Sequence, residues 1–295
     1  MSAVAVEHPR EAPGVRVARG AGHAALLLLV PAALWGLWEG YRALWIHEGW
    51  TWPFVVDDTT MPHLHDVFRA LWEPASTGGS GDKLLVLLLH AAAFTAREAA
   101  VGFAIGASVG FLLGVLLAQW RLLQRGILPF VVASQTVPIL AIAPIVVVYL
   151  GSHSVPAWLS VAVIAAYLTF FPVTMNTLRG LNSADRRALE LMRSYAAPRR
   201  WVLLKLRVPA ALPYVFSALR VSATASVVGA VVGELPSSIQ DGIGGKIIVF
   251  NQYYSLDPTQ LWATNIVAAG LGIAFFLLVV VAERLVVRRA PENVA

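Results

Sequence analysis

Long apolar stretches separated by short polar ones run along most of the chain, near residues 24–46, 84–118, 127–151, 157–178, 210–235 and 260–283. A helix needs about 20 mainly apolar residues to cross the hydrocarbon core of a bilayer, so the pattern predicts an all-α polytopic membrane protein with six transmembrane helices. The stretches are continuously apolar, whereas a membrane β-barrel would show alternating segments of about 10 residues. The second stretch is too long for one crossing. Its first part, ending near His90 and Ala93, is expected to lie along the interface. Glu39 and Arg42 interrupt the first stretch at i, i+3 spacing. They either pair with each other or sit at the outer interface near Trp38, Trp45, Trp50 and Trp52.

Composition agrees with the pattern. The chain is 58% hydrophobic and 13% charged, with a mean hydropathy of +0.69, where a soluble domain carries about 25% charged residues. A pI near 9.8 would suit a nucleic-acid partner if the basic residues were clustered on a soluble face. They flank the spans instead, which is a signal of topology. With the N-terminus inside, the cytoplasmic side holds Arg10, Arg16, Arg19, Arg121, Arg125, Arg284, Arg288 and Arg289. It also holds Arg179, Arg186, Arg187, Arg193, Arg199, Arg200, Lys205 and Arg207 between spans four and five. Only Arg69, Lys83 and Lys246 fall in outer segments. Both termini are therefore expected in the cytoplasm, with no nucleic-acid partner. The polar first 22 residues lead into an apolar run with no small-residue cleavage site, so an uncleaved first span is expected. There is no cysteine, hence no disulfide framework.

Within the spans, Gly102, Gly106, Gly110 and Gly114 stand four residues apart, a row that lies along one helical face and permits close helix packing. Ser134, Gln135 and Thr136 precede Pro138, with Pro144 six residues on. Such a helix either lines a cavity or is passively kinked. Asn176 on span four and Ser222 and Ser226 on span five add polar positions, which serve as pore lining or as glue between helices. Glu234 is the acid placed within a span. The outer "TMPHLHD" has His63, His65 and Asp66 at a spacing that fits no helical metal pair, so solvated histidines and no metal site are expected. "GELPSSIQDGIGGKI" reads as a hinge, a gate or an ordinary connection. No phosphate-binding loop occurs, and no nucleophile, base and orienting group form a catalytic set. The chain is expected to be no enzyme and to bind no cofactor; any ATP must sit on another polypeptide.

The stretch 179–213 is the most distinctive. Ala188, Leu191, Met192 and Tyr195 recur at i, i+3, i+4 and i+7, giving an apolar stripe on a helix capped by Ser183 or Asp185. That helix ends near Ala196. Pro198 suits the first turn of a second helix, which runs through Trp201 and Leu204 to Pro209 and Pro213 at the entry to span five. A loop needed only for topology requires a few charges and no apolar stripe, so this helix pair is expected to dock into a partner's groove.

Residues 190–209 resemble the cytoplasmic "EAA" loop of bacterial ABC-importer permeases, with the pattern E-A-A, three residues, G, nine residues, I-x-L-P. Glu190 falls on the acid, Ala196 on the glycine, Leu206 on the isoleucine and Val208-Pro209 on the final pair. Leu191 and Met192 replace the alanines, and with alanine in place of glycine the turn is expected at Ala197-Pro198. "REAAVGFAIGASVGFLLGVLLA" and "QTVPILAIAPIVVVYLG" are similar to core motifs of the nitrate, sulfonate and taurine importer group, which includes carriers of thiamine-precursor pyrimidines. The resemblance covers roughly 84–285. It implies a type I ABC-importer permease core over 84–285 with coupling helices at 183–209, preceded by a tail, span and outer loop at 1–83 and followed by a cytoplasmic tail at 286–295.

The same resemblance implies a bacterial inner-membrane location and a transport subunit paired in the lipid bilayer with a second permease subunit, expected to be identical. A cytoplasmic ABC ATPase dimer would carry ATP and Mg, and an extracytoplasmic solute-binding protein would deliver a sulfonate, taurine, nitrate-like or pyrimidine-type solute. Glu190, Leu191, Ala196, Ala197, Pro198, Arg199, Leu206 and Pro209 would carry coupling; Gln135, Pro138, Asn176, Ser222, Ser226 and Glu234 would belong to the path. The alternative is a secondary transporter without an ATPase, which would show paired broken helices in two related halves. Only one proline-broken helix is visible here.

Overall fold

The computed structural model describes residues 13–52, 54–75, 81–237 and 239–286, with side chains from residue 29 onward. Arg10, Arg288, Arg289 and nearly all of the tail at 286–295 lie outside the described residues, as do the side chains of Arg16 and Arg19. Two compact units are present, Met1–Arg69 and Ala70–Ala295.

The first unit contains α1 (Pro13–Glu48), which holds the first apolar stretch, and most of α2 (Leu64–Ala70). The second contains α3 (Leu84–Gln119), α4 (Arg121–Ser134), α5 (Ile139–Ser152), α6 (Ala157–Asn182), α7 (Arg186–Ser194), α8 (Arg199–Val202), a π-helical turn at Leu203–Arg207, α9 (Val208–Glu234), α10 (Ile243–Gln252) and α11 (Pro258–Val286). Residues 70–83, grouped by sequence with the outer loop, are tied to the start of α3. Leu84 N–H donates to Glu73 O and Leu85 N–H to Leu71 O, both at 2.9 Å, and Pro74 bridges Lys83.

Four helical runs in this second unit are long and apolar enough to cross a membrane: α3, α6, the continuous Arg199–Glu234 and α11. Of the six spans expected from sequence, the third, marked there by its two prolines, is the broken one. There α4 and α5 meet at 97°, a fifth crossing only if the bent pair is one span. Pro138 disfavours helical backbone at Val137, and the Ser134 and Thr136 hydroxyls donate back to Val131 O and Ala133 O at 2.7 Å. Tyr167 of α6 donates its hydroxyl hydrogen to the Ser134 carbonyl, which the missing helical turn leaves free. Likewise α3 runs unbroken for 36 residues, with no interfacial segment split off near His90.

The core is the α3–α6–α9 layer. Residues Gly102, Gly106, Gly110 and Gly114 of α3 lie directly on α6. A Cβ at Gly102, Gly106 or Gly110 would stand 2.5 Å from the carbonyl oxygen of Ala162, Ala166 or Phe170, and one at Gly114 would stand 2.7 Å from Thr177 Cβ. From α9, Gly229 approaches Ala165, and Gly233 approaches Val161 and Ile164. Ala99, Val161, Ala165, Val227 and Ala230 fill the space between. Small residues let the backbones close up and gain dispersion contacts, which is what holds helices together where lipid supplies no hydrophobic drive. By contrast, α11 leaves Ile273, Leu277, Leu278, Val281 and Leu285 more than half exposed, an apolar face suited to lipid.

Candidate functional site

The segment between α6 and α9 forms two short helices around a sharp turn. Asp185 accepts the Arg187 N–H at 3.0 Å and caps α7. On its exposed face Arg186 Nε donates to Glu190 at 3.0 Å. The C-terminus of α7 closes in a Schellman motif, with Ala197 N–H donating to Met192 O at 3.0 Å and Ala196 N–H to Arg193 O at 2.9 Å. Ala196 takes the left-handed position of that motif, with φ 50°. The turn is therefore made at Ala196 itself, not by Ala197-Pro198 as its sequence suggested. Left-handed backbone costs an L-residue roughly 1–2 kcal/mol, where glycine is free of it. Ala196→Gly is expected to stabilise the turn by about 0.5–1 kcal/mol net of chain entropy, read as slower amide exchange at Ala197; faster exchange would count against the left-handed turn.

Pro198 forms the N-cap of α8, and its carbonyl accepts from Trp201 N–H at 2.8 Å. Between α7 and α8 lies an apolar groove of about 490 Å³ lined by Leu191, Met192, Tyr195, Trp201 and Leu206. Its walls are open, since Tyr195 is 75% exposed and Leu191 55%. Lys205 Nζ sits 4.0 Å over the Trp201 ring, covering the aromatic with its charge in solvent. Sequence separated this second helix from span five at Pro209 and Pro213; the structure runs straight through both. The π turn absorbs the disruption, with Val208 N–H reaching back to Leu203 O. Leu203 and Val208 then pack on Leu181, Ala211 and Val215, beside Phe111, Val115 and Ala118 of α3. The groove and the core layer are thus joined by continuous helix and apolar packing.

The residues assigned to a path lie at separate places in the bundle. Gln135 and Pro138 are exposed at the α4–α5 bend. Asn176 is half-buried and donates to Pro172 O at 2.9 Å. Ser222 and Ser226 are fully buried; Ser222 donates to Thr169 O on α6 at 3.3 Å and Ser226 to Ala223 O at 2.8 Å.

Glu234 is also fully buried, with its carboxyl at the N-terminus of α10. It accepts from Thr95 Oγ1 at 2.6 Å and from Gly244 N–H at 2.5 Å, while Thr95 Oγ1 accepts the Ile243 N–H at 2.9 Å. This arrangement satisfies the first amides of α10. Gly242 and Gly244 make room, since a Cβ at Gly244 would lie 2.9 Å from Glu234 Oε2. The sequence had offered "GELPSSIQDGIGGKI" as a hinge, a gate or an ordinary connection; its last five residues open α10. Sequence reading also missed Glu98, fully buried on α3 and set against the Glu234 carboxyl. A signal was present: Glu98 stands four residues before Gly102, in register with the packing row.

In the first unit, Glu39 and Arg42 meet through His63, which was expected to be a solvated loop histidine. His63 Nδ1–H donates to Glu39 at 2.7 Å, and its Nε2 accepts from Arg42 at 2.6 Å. Arg42 also reaches Met61 O at 2.9 Å and pairs with Asp58. Glu39, His63 and His65 bring ligand atoms within 4.8 Å of one another, but the guanidinium already takes His63 Nε2, which favours an ion-pair network there. In the loop beyond, Thr60's N–H and hydroxyl hold the Asp57 carboxyl below the usual carboxylate range.

Several known proteins are similar to this chain. It is 40% identical over 134 residues to the formylaminopyrimidine transport permease ThiX of Halalkalibacterium halodurans, 45% of this chain and 52% of that one. It is 30% identical over 172 residues to the riboflavin transport system permease RibX of Chloroflexus aurantiacus, 58% of this chain and 61% of that one. With the nitrate import permease NrtB of Synechocystis it shares 25% identity over 224 residues, 76% of this chain and 78% of that one. The chain thus spans between about half and two thirds of the length of ThiX and RibX. In fold it is similar to a crystal structure of an amino acid ABC transporter, with TM-score 0.56 at 14% identity, covering 68% of this chain and 94% of that one. The family model for binding-protein-dependent transport system inner membrane components matches residues 110–291, the stretch that holds the bent α4–α5 pair, the α7–α8 turn and the core helices α6 and α9, and the chain belongs to that family.

Proposed function

We propose that this chain is the membrane-spanning permease subunit of an ATP-driven importer, forming the path for a small solute and coupling it to ATP hydrolysis on a separate chain. The observation that carries the reading is the open apolar groove between α7 and α8, joined through the π turn to the core layer. Such a groove suits docking to another protein, and its rigid connection suits transmission of a movement. Two permease subunits, expected to be identical, face each other in the bacterial inner membrane with both termini in the cytoplasm. A cytoplasmic ABC ATPase dimer carrying ATP and Mg docks at Glu190, Leu191, Ala196, Ala197, Pro198, Arg199, Leu206 and Pro209, and a solute-binding protein delivers solute outside. Gln135 and Pro138 at the bend, with Asn176, belong to the path. Ser222, Ser226 and Glu234 set the packing of α9 beside it. The solute class is a sulfonate, taurine, a nitrate-like anion or a pyrimidine.

A gentle pull-down of the tagged chain from native membranes tests this. A stoichiometric ATPase partner, with ATP hydrolysis in the purified material, is the expected result. Recovery of the chain alone after mild crosslinking, with no ATPase activity, would overturn it in favour of a transporter working without ATP.

A further inference from the structure

The docking groove is not the only cavity at this end of the bundle. A second, of about 490 Å³, is lined by Arg121 at the start of α4, Arg193 of α7, Arg199 of α8 and Arg207 of the π turn, and no acidic side chain lines it. Three stretches of chain, α4, α7 and the continuous run that begins with α8, thus bring arginines to the wall of one space. Glu190, the nearby acid in sequence, is engaged by Arg186 on the exposed side of α7. Arg207 Nε is buried and has no hydrogen-bond partner, and such a donor is costly to leave unpaired. Guanidinium forks match phosphate oxygens in geometry as well as charge.

A neighbouring cavity identifies the kind of phosphate. Arg121 is shared with a space of about 710 Å³ running along α4, walled by Leu128, Pro129, Val132 and Ala133, with Gln124 and Arg125 at its polar end. Trp120 and Leu122, on either side of Arg121, are 56% and 86% exposed, as expected of residues at a membrane interface. A basic pocket and an apolar trough that share Arg121 in their walls fit an amphiphile with an anionic head. We infer that the Arg121–Arg193–Arg199–Arg207 pocket binds the phosphate headgroup of an anionic phospholipid, whose acyl chain lies along α4. Basic pockets between membrane helices at the cytoplasmic face serve such headgroups. The site would let the composition of the inner leaflet bear on the coupling turn, because Arg193 and Arg199 flank Ala196. This inference rests on the proposed orientation, which puts the turn in the cytoplasm.

The test uses the full chain, delipidated in detergent and titrated with phosphatidylglycerol, phosphatidylcholine or inorganic phosphate, with bound lipid counted by native mass spectrometry and stability followed by melting temperature. Phosphatidylglycerol is expected to bind and raise the melting temperature. Neutralising two arginines, in R121Q/R207Q, is expected to weaken that binding roughly thirtyfold. Should R121Q/R207Q not fold, Arg193→Gln, on an exposed residue, must weaken binding in the same direction. Equal binding of phosphatidylcholine overturns the headgroup assignment. Stabilisation by inorganic phosphate with no lipid adduct overturns the lipid source. An adduct that vanishes in the assembled transporter assigns the pocket to acidic groups of the ATPase and overturns the inference as well. Because the chain has no cysteine, Ser194→Cys reports orientation separately. Labelling by an impermeant thiol reagent from the outer face would sink the proposed topology, whereas labelling only from the inner face without lipid selectivity would sink the lipid site alone.

Discussion

Glu190→Lys and Ala196→Asp are each expected to abolish ATP-dependent uptake while the chain still reaches the membrane in wild-type amounts. Neither change is expected to damage the fold. Glu190 is exposed and its pair with Arg186 spans one helical turn, an interaction worth only about 0.3–0.5 kcal/mol. Ala196 is in the left-handed region, which aspartate tolerates better than most residues. What changes is the docking surface. Ala196 lies on the wall of the apolar groove, so a carboxylate there must be buried unpaired when a partner closes over it. An unpaired charge in an interface costs on the order of 3–5 kcal/mol, enough to weaken docking by two orders of magnitude or more. Uptake into vesicles, alongside quantitative immunodetection of the chain in membranes, makes the comparison. Wild-type uptake by both variants would remove the coupling role from this turn.

The same turn marks how far sequence could be read. The apolar stripe through Leu191, Met192 and Tyr195 follows from helical period, and Asp185 from capping preference, because both are local rules. The left-handed Ala196 does not, since alanine carries no preference for that backbone and only the closure of α7 onto Arg193 O and Met192 O imposes it. The bend between α4 and α5 was half legible: Pro138 was visible, but its angle depends on what accepts the freed groups, and Tyr167 comes from another helix. Glu98 and Glu234 show the same limit. A single acid in an apolar run reads as an isolated oddity, whereas its reason is the start of α10, separated by a stretch whose glycines looked like a loop. Those glycines are needed to let a carboxyl reach the helix end.

Gly106→Leu is expected to prevent stable folding, while Gly270→Leu is accepted. Four-residue spacing alone says that glycines share a face; the effect of filling one depends on what the face meets. At Gly106 a first added carbon would stand 2.5 Å from Ala166 O and 2.6 Å from Thr169 Cβ. Neither can step aside, since one is helix backbone and the other a β-branched carbon whose hydroxyl already bonds Ala165 O at 2.9 Å. Relief requires α3 and α6 to separate, and separation is passed on, because Thr169 O also receives the Ser222 hydroxyl from α9. Overpacking a well-filled core costs roughly 1–3 kcal/mol. A leucine against fixed backbone belongs at or above the upper end, and a protein with a net stability of about 5–15 kcal/mol loses a large part of its margin. A Cβ at Gly270 on α11 has nothing within 4 Å, so leucine there adds only apolar surface to a face already suited to lipid. Size-exclusion profiles and melting temperatures in the same detergent compare the two variants. Equal behaviour would mean that the α3–α6 contact does not hold the bundle together, whereas aggregation of Gly106→Leu beside a monodisperse Gly270→Leu would locate the packing energy in that seam.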